Sequence, residues 1–169
     1  MELEDNNMPN WCEGYLKIRG KKEDIVNFVE NEIRLVKTEN ILSEPEYLEI
    51  KMIKDSYEYR FEHKNSFKEY LRLKNARRFF VESEEISFYY HKDEVCYLTL
   101  EIKQAWYIDV QELLVEHSKK YHVDFNIYAS ESGMEFEQYI TVINGELVKN
   151  EEKEYTDFQF EAINPELGG

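Results

Sequence analysis

The sequence predicts an α+β fold, with two helices laid on one face of an antiparallel sheet. Three observations lead to it. Residues 22–36 and 108–121 carry apolar side chains at helical spacing. Several other stretches alternate apolar and polar residues with the period of two that marks a half-buried strand. Asn144-Gly145 stands between two such stretches, and Asn-Gly there is a strong hairpin signal, because a type I′ turn needs φ > 0 at both central residues. With residues 38–84 set aside as an insertion, the order reads β-α-β-β-α-β. That is the ferredoxin-like arrangement, here with an insertion after the first helix and a C-terminal β-hairpin extension.

Taken along the chain, residues 1–8 are acidic and polar without periodicity and read as a flexible tail. In residues 11–19, Leu16 and Ile18 point one way and Lys17 and Arg19 the other, as in a first strand. The first helix places Ile25, Phe28, Val29 and Ile33 on one face, and Glu23 and Asp24 in its first turn suit the positive end of the helix dipole. The insertion offers short strands at 47–53 and 57–61 with a turn near Asp55-Ser56. After them come Ser66, as the cap of a short helix holding Phe67, Tyr70 and Leu71, and an extended run at 79–81. Residues 85–90 and 95–103 read as two strands joined through Lys92-Asp93-Glu94. Val110, Leu113, Leu114, His117 and Tyr121 form the stripe of the second helix; 123–128 is a strand, and 156–162 alternates as a last strand.

The 169 residues suit a single domain, and 42% hydrophobic content is enough for a real core. The formal net charge is −15, which favours a basic partner and argues against a nucleic-acid binder with its basic footprint. Charge is unevenly spread. Residues 130–169 hold ten acidic side chains against Lys149 and Lys153, a balance of −8, whereas 64–78 holds six basic residues against Glu69, a balance of +5. Cys12 and Cys96 form no metal or disulfide pattern and read as reduced, structural thiols. No secretory signal or apolar run of about 20 residues is visible, so a soluble protein is expected. Nucleotide-loop and hydrolase motifs are missing, and the four histidines show no ligand spacing, so no cofactor, metal or catalytic residue is implied. Glu151, Glu152, Glu154 and Asp157 do not match a calcium loop.

Met8-Pro9-Asn10-Trp11-Cys12, followed by a strand and Gly20, resembles the opening of uncharacterised bacteriophage and plasmid proteins that begin MPNWC and carry a ferredoxin-like C-terminal domain. Trp106 before the second helix is similar to that family, as are Tyr128, Glu131, Gly133 and Phe136, which approximate its YxExGxxFxG-like pattern with one extra residue after the tyrosine. Glu137 and Gln138 stand where the family has glycine. The resemblance implies a mobile-element origin, the cytoplasm of a bacterial host and, by association, an anti-defence protein such as an anti-CRISPR inhibitor.

The leading expectation is therefore a non-enzymatic inhibitor that occupies a basic nucleic-acid site on a protein, such as a CRISPR effector nuclease. Its candidate site residues are Glu131, Glu135, Glu137, Glu146, Glu151, Glu152 and Glu154. Same-face strand residues such as Glu135 and Glu137 recur about every 6.6–6.8 Å, roughly twice the ~3.4 Å axial charge spacing of one DNA strand. A solvated acidic face is the plainer account of the same residues. Alternatives are a domain that binds a host protein through apolar and aromatic surface, an RNA-binding module using 64–78 through Arg72, Arg77 and Arg78, and an unrecognised enzyme. The net charge predicts no appreciable RNA affinity at physiological salt.

Overall fold

A computed structural model of the protein describes residues 9–39, 44–54, 59–62, 66, 68–90 and 94–169. The elements are β1 (Trp11–Lys21), α1 (Lys22–Glu32), β2 (Ile33–Lys37), β3 (Glu46–Glu49), β4 (Ile53–Lys54), β5 (Tyr59–Glu62), β6 (Glu69–Leu73) and β7 (Phe79–Val81). There follow β8 (Glu85–Ser87), β9 (Tyr89–Tyr90), β10 (Val95–Ala105), α2 (Gln111–Tyr121), β11 (Asp124–Glu131), β12 (Phe136–Ile143), β13 (Glu146–Glu154) and α3 (Phe158–Glu161).

The ferredoxin-like expectation is overturned. Among the described residues, one large antiparallel sheet runs in the order β13-β12-β11-β1-β10-β7-β6-β2-β3, with β9 also paired to β10. The predicted insertion supplies β3, β6 and β7 to that same sheet, β2 comes from the end of the predicted first helix, and the C-terminal hairpin extends the other edge. β4, β5 and β8 form a second, small sheet. β1 is the spine: it pairs along its whole length with β10, and from Glu13 to Arg19 with β11.

The first helix is shorter than its apolar spacing predicts. It ends at Glu32, and Ile33 (φ −97°, ψ 128°) carries the chain straight into β2. Ile33 continues the helical stripe in sequence, but it lies across from Leu73, and Leu35 from Leu71, so these residues bury better as a strand. The expected helix after Ser66 is likewise absent. The Ser66 hydroxyl accepts the Lys68 and Glu69 N–H groups (3.3 and 3.1 Å), which closes a turn, and Leu71 and Leu73 then alternate inward from β6. Within residues 156–162 the chain forms α3 (Phe158–Glu161) instead of a strand: the Glu161 carboxylate accepts the Thr156 and Asp157 N–H groups at its start. The tail at 1–8, the turn at Asp55-Ser56, Phe67 and most of the turn through Lys92-Asp93 lie outside the described residues.

The Asn144-Gly145 turn forms as predicted, with φ of 51° and 74°. It is tied inward by the Gly145 N–H to Ser118 Oγ (2.8 Å) and the Asn144 N–H to Asp124 Oδ1 (2.9 Å). Cys12 and Cys96 are buried and free, and burial, then the Glu131 charge, pushes the Cys12 thiol up to about 12.

Helices α1 and α2 lie side by side on one face of the sheet. Phe28 joins them: its ring meets His117 (5.5 Å), Tyr121 (5.7 Å) and Phe125 of β11 (5.1 Å), all at steep interplanar angles. Beside it, buried Glu32 accepts the Tyr121 hydroxyl and Lys120 Nζ (2.9 Å), cross-linking the helices. Phe28→Ala should therefore cost about 3–5 kcal/mol in urea unfolding, in the range for deleting a buried aromatic ring. A loss below about 1 kcal/mol would show that this ring cluster does not hold the helices to the sheet.

Candidate functional site: the open face of the sheet

Alternation along the two central strands decides what the open face carries. Cys12, Leu16 and Ile18 of β1 and Cys96, Leu98, Leu100 and Ile102 of β10 are buried toward the helices. Trp11, Glu13, Tyr15, Lys17 and Arg19, with Tyr97, Thr99, Glu101 and Lys103, therefore line the other side. This open face has two halves of different character.

The β11–β13 half holds most of the predicted acidic site, but not as a single surface. Glu131 and Glu137 are fully buried. Glu131 accepts the Gly133 and Met134 N–H groups (2.9 and 2.6 Å), shaping the turn between β11 and β12. Glu137 accepts the hydroxyls of Tyr128 (2.5 Å), Tyr155 (2.5 Å) and Tyr139 (2.9 Å) and the Ile163 N–H (2.7 Å). Glu135 and Glu137 thus cannot stand together for alternate phosphates: one is in a turn at φ 60°, the other is enclosed. Glu135 and Glu146 flank opposite ends of the eight-residue β12, roughly 27 Å apart at ~3.4 Å per residue. Glu146, Glu151, Glu152 and Glu154 lie exposed on β13, the outermost strand, with Glu151 3.5 Å from Lys149.

Glu137 is enclosed by the chain itself. After β13, residues 155–169 return over this half as a strap. Tyr155 packs on Phe158 (5.9 Å), and Phe158 is buried outside the main core cluster. The Ser132 hydroxyl donates to the Gly168 carbonyl (2.6 Å), and Gly169 exchanges hydrogen bonds with the Trp11 main chain (2.9 and 3.3 Å). Gly168 has φ 82°, and a Cβ there would run into the Ser130 and Trp11 carbonyls, so glycine is required. Burial pushes the Glu137 pKa up, but the tyrosine hydroxyls and the Ile163 N–H outweigh it and hold the carboxyl below its usual range.

The β10–β7–β6–β2 half is uncovered by the strap contacts and holds a cleft of about 440 Å³. Trp11 and Phe80 meet edge to face (5.7 Å), as do Phe80 and Tyr70 (5.5 Å). Arg78 and Lys103 approach the Trp11 ring at 5.4 and 5.1 Å, and Lys103 also pairs with Glu82 (2.8 Å). Register continues the cations away from the cleft: Lys103 lies across from Phe80, Phe80 from Arg72, and Arg72 from Arg34. A second hollow beside it is lined by Arg34, Tyr47, Arg72, Lys74 and Asn75.

Of the predicted basic stretch, Arg72 and Arg78 belong to this surface. Arg77 instead holds Asp109 (3.2 Å) and the Ala105 carbonyl (3.0 Å), and Lys64 lies outside the described residues. Sequence reasoning missed Trp11, Arg34, Phe80 and Lys103 as partners. Their outward phase was readable from alternation, but their proximity needs the strand order.

Among the described residues no group of three or more metal-ligating side chains occurs, and no helix is long and apolar enough to cross a membrane. No protein-family model, curated protein or solved structure matches the chain.

The folded-state pKa of Glu137 is depressed, so its contribution to stability is full above the unfolded pKa and is lost as pH falls through the folded one. Glu137→Gln should therefore lower stability by about 1.5–3 kcal/mol at neutral pH, and the gap to the parent should close in acid. Parallel stability–pH curves for the two proteins would refute the assignment of Glu137 as the ionised pin of the strap.

Proposed function

We propose that the protein is a partner-binding protein whose outer strand β13 docks on a basic surface of a protein that handles nucleic acid, as an anti-defence, anti-CRISPR inhibitor would. The supporting observation is the position of β13. It ends the strand order, so among the described residues no strand pairs its outer edge over nine residues, and all of its glutamates face solvent. Proteins usually blunt such an edge with charge, lysine above all. Here four glutamates stand against two lysines, with Leu147 and Val148 exposed between them. An added strand bearing Lys or Arg would find backbone partners, apolar contact and opposite charge together. The site is thereby narrowed to Glu146, Glu151, Glu152 and Glu154. Glu131 and Glu137 are scaffold. Exposed Phe160 and Ile163 on the strap favour a second reading, capture of a host protein by apolar surface.

The test is capture from bacterial lysates that carry defence systems, followed by binding titrations of the captured protein at two salt concentrations. Glu151→Lys, Glu152→Lys and Glu154→Lys together should slow association by about tenfold or more and flatten the salt dependence. The variant should melt no lower than the parent, because like-charge repulsion is relieved. Equal affinity and equal salt slope would remove β13 from the site and leave the apolar reading.

A further inference from the structure

We propose that the Trp11 cleft and the cation row beside it form a binding site for single-stranded nucleic acid. The inference stands apart from the β13 reading, since it concerns the other half of the open face and needs no protein partner.

Arg34 and Arg72 are direct cross-strand neighbours. Like charges so placed destabilise a sheet. Glu49 of β3 lies across from Arg34 on its other side, but neither arginine makes an ion pair among the described residues: Arg72 donates to the Ala76 carbonyl, and Arg34 rests over the Tyr47 ring. Arg78 is exposed, sits at φ 45° and faces the Trp11 ring with no carboxylate partner among the described residues. In a chain with 36 acidic and 21 basic residues, three arginines on one surface with no ion pair among the described residues run against the overall composition. A local rule broken without a visible internal gain is the mark of a surface kept for a ligand, and the ligand that repairs it is a polyanion.

The rings decide which polyanion. Trp11, Phe80 and Tyr70, each half-buried, line the cleft between the cations, and an accessible aromatic ring beside a guanidinium is a platform on which unpaired bases stack. Duplex DNA offers its phosphates but not its base faces. A free nucleotide would fill the cleft alone. From Lys103 to Arg34 the row crosses three strand spacings, about 14 Å, and continues past the cleft, which suits a strand of linked nucleotides. Sequence-level expectation opposed nucleic-acid binding on net charge. The structure confines the acidic outer strand to the far edge, five strands from β7. Counterion release makes the complex weaken as salt rises, with a slope of about −2 for three phosphate contacts, and the remaining long-range repulsion lowers its affinity.

The chain has two tryptophans, Trp11 and Trp106, so Trp106→Phe leaves Trp11 as the sole reporter. The full chain with that change is titrated at low salt with a mixed-sequence single-stranded oligonucleotide, its duplex, a nucleoside monophosphate and inorganic phosphate. Anisotropy of the labelled oligonucleotide on the unchanged protein serves as a second measurement. The expected result is saturable quenching of Trp11 by the single strand, at least about tenfold tighter than by the duplex or the monophosphate, and none by phosphate. Arg72→Glu should weaken the strand about tenfold or more and flatten the salt slope, while melting no lower than the parent because a facing pair of like charges becomes an opposite pair. Arg78→Glu tests the same site without touching that pair. No saturable response by either measurement would overturn the proposal. So would equal binding of strand and monophosphate, or undiminished binding in both charge-reversal variants.

Discussion

Two short helices must cover a very wide sheet. Helices α1 and α2 have eleven residues each, about 16 Å of length, and side by side they cover about 20 Å of width. Nine strands in one path span about 38 Å. The helices can therefore bury only part of one face, α1 over β1 and β10 and α2 over β11, β12 and β13, and every other apolar surface needs a different cover. On the helix side, Phe61 of the small sheet and Phe88 beside it join the same core. On the open side the chain turns back on itself and closes residues 155–169 over β11 and β12, around a buried carboxylate. Among the described residues, what no element covers is the basic, aromatic half.

That division changes what the charge pattern means. The acidic C-terminal part is two things: internal carboxylates that pin a turn and a strap, and an outer strand that keeps its charge in solvent. Glu131 and Glu137 hold backbone N–H groups and tyrosine hydroxyls in place and are lost to recognition. Because the strap ends on the Trp11 main chain, the scaffolded half also fixes the residue whose ring lines the cleft. The two proposed surfaces, opposite in sign and held apart by one sheet, would suit a partner that itself combines basic protein with exposed nucleic acid.

Much of this architecture was legible locally. The inward phase of Leu16 and Ile18, the faces of both helices and the Asn144-Gly145 turn follow from periodicity and turn chemistry, and the structure keeps them. Strand partners did not follow, because they depend on residues far apart in the chain. Ile33 satisfies a helical stripe and a strand equally well until Leu73 is known to lie across from it. Phe158 and Phe160 alternate like a strand, yet the Glu161 carboxylate starts a helical turn there. Glu137 occupies the polar phase of β12, between inward Phe136 and Gln138. Nothing local says that Tyr155 and Ile163 will come back over it. The cleft was least legible: Trp11, Arg34, Phe80 and Lys103 come from four strands.

The central claim is that one half of the open face is scaffold and the other half is a working surface. Amide hydrogen exchange of the full chain, with and without a single-stranded oligonucleotide at low salt, tests it most directly. The account predicts slowed exchange in residues 69–82 and 95–105 on adding the strand, with 124–143 and the strap unchanged. Slowing confined to 124–154, or opening of the strap on binding, would contradict it.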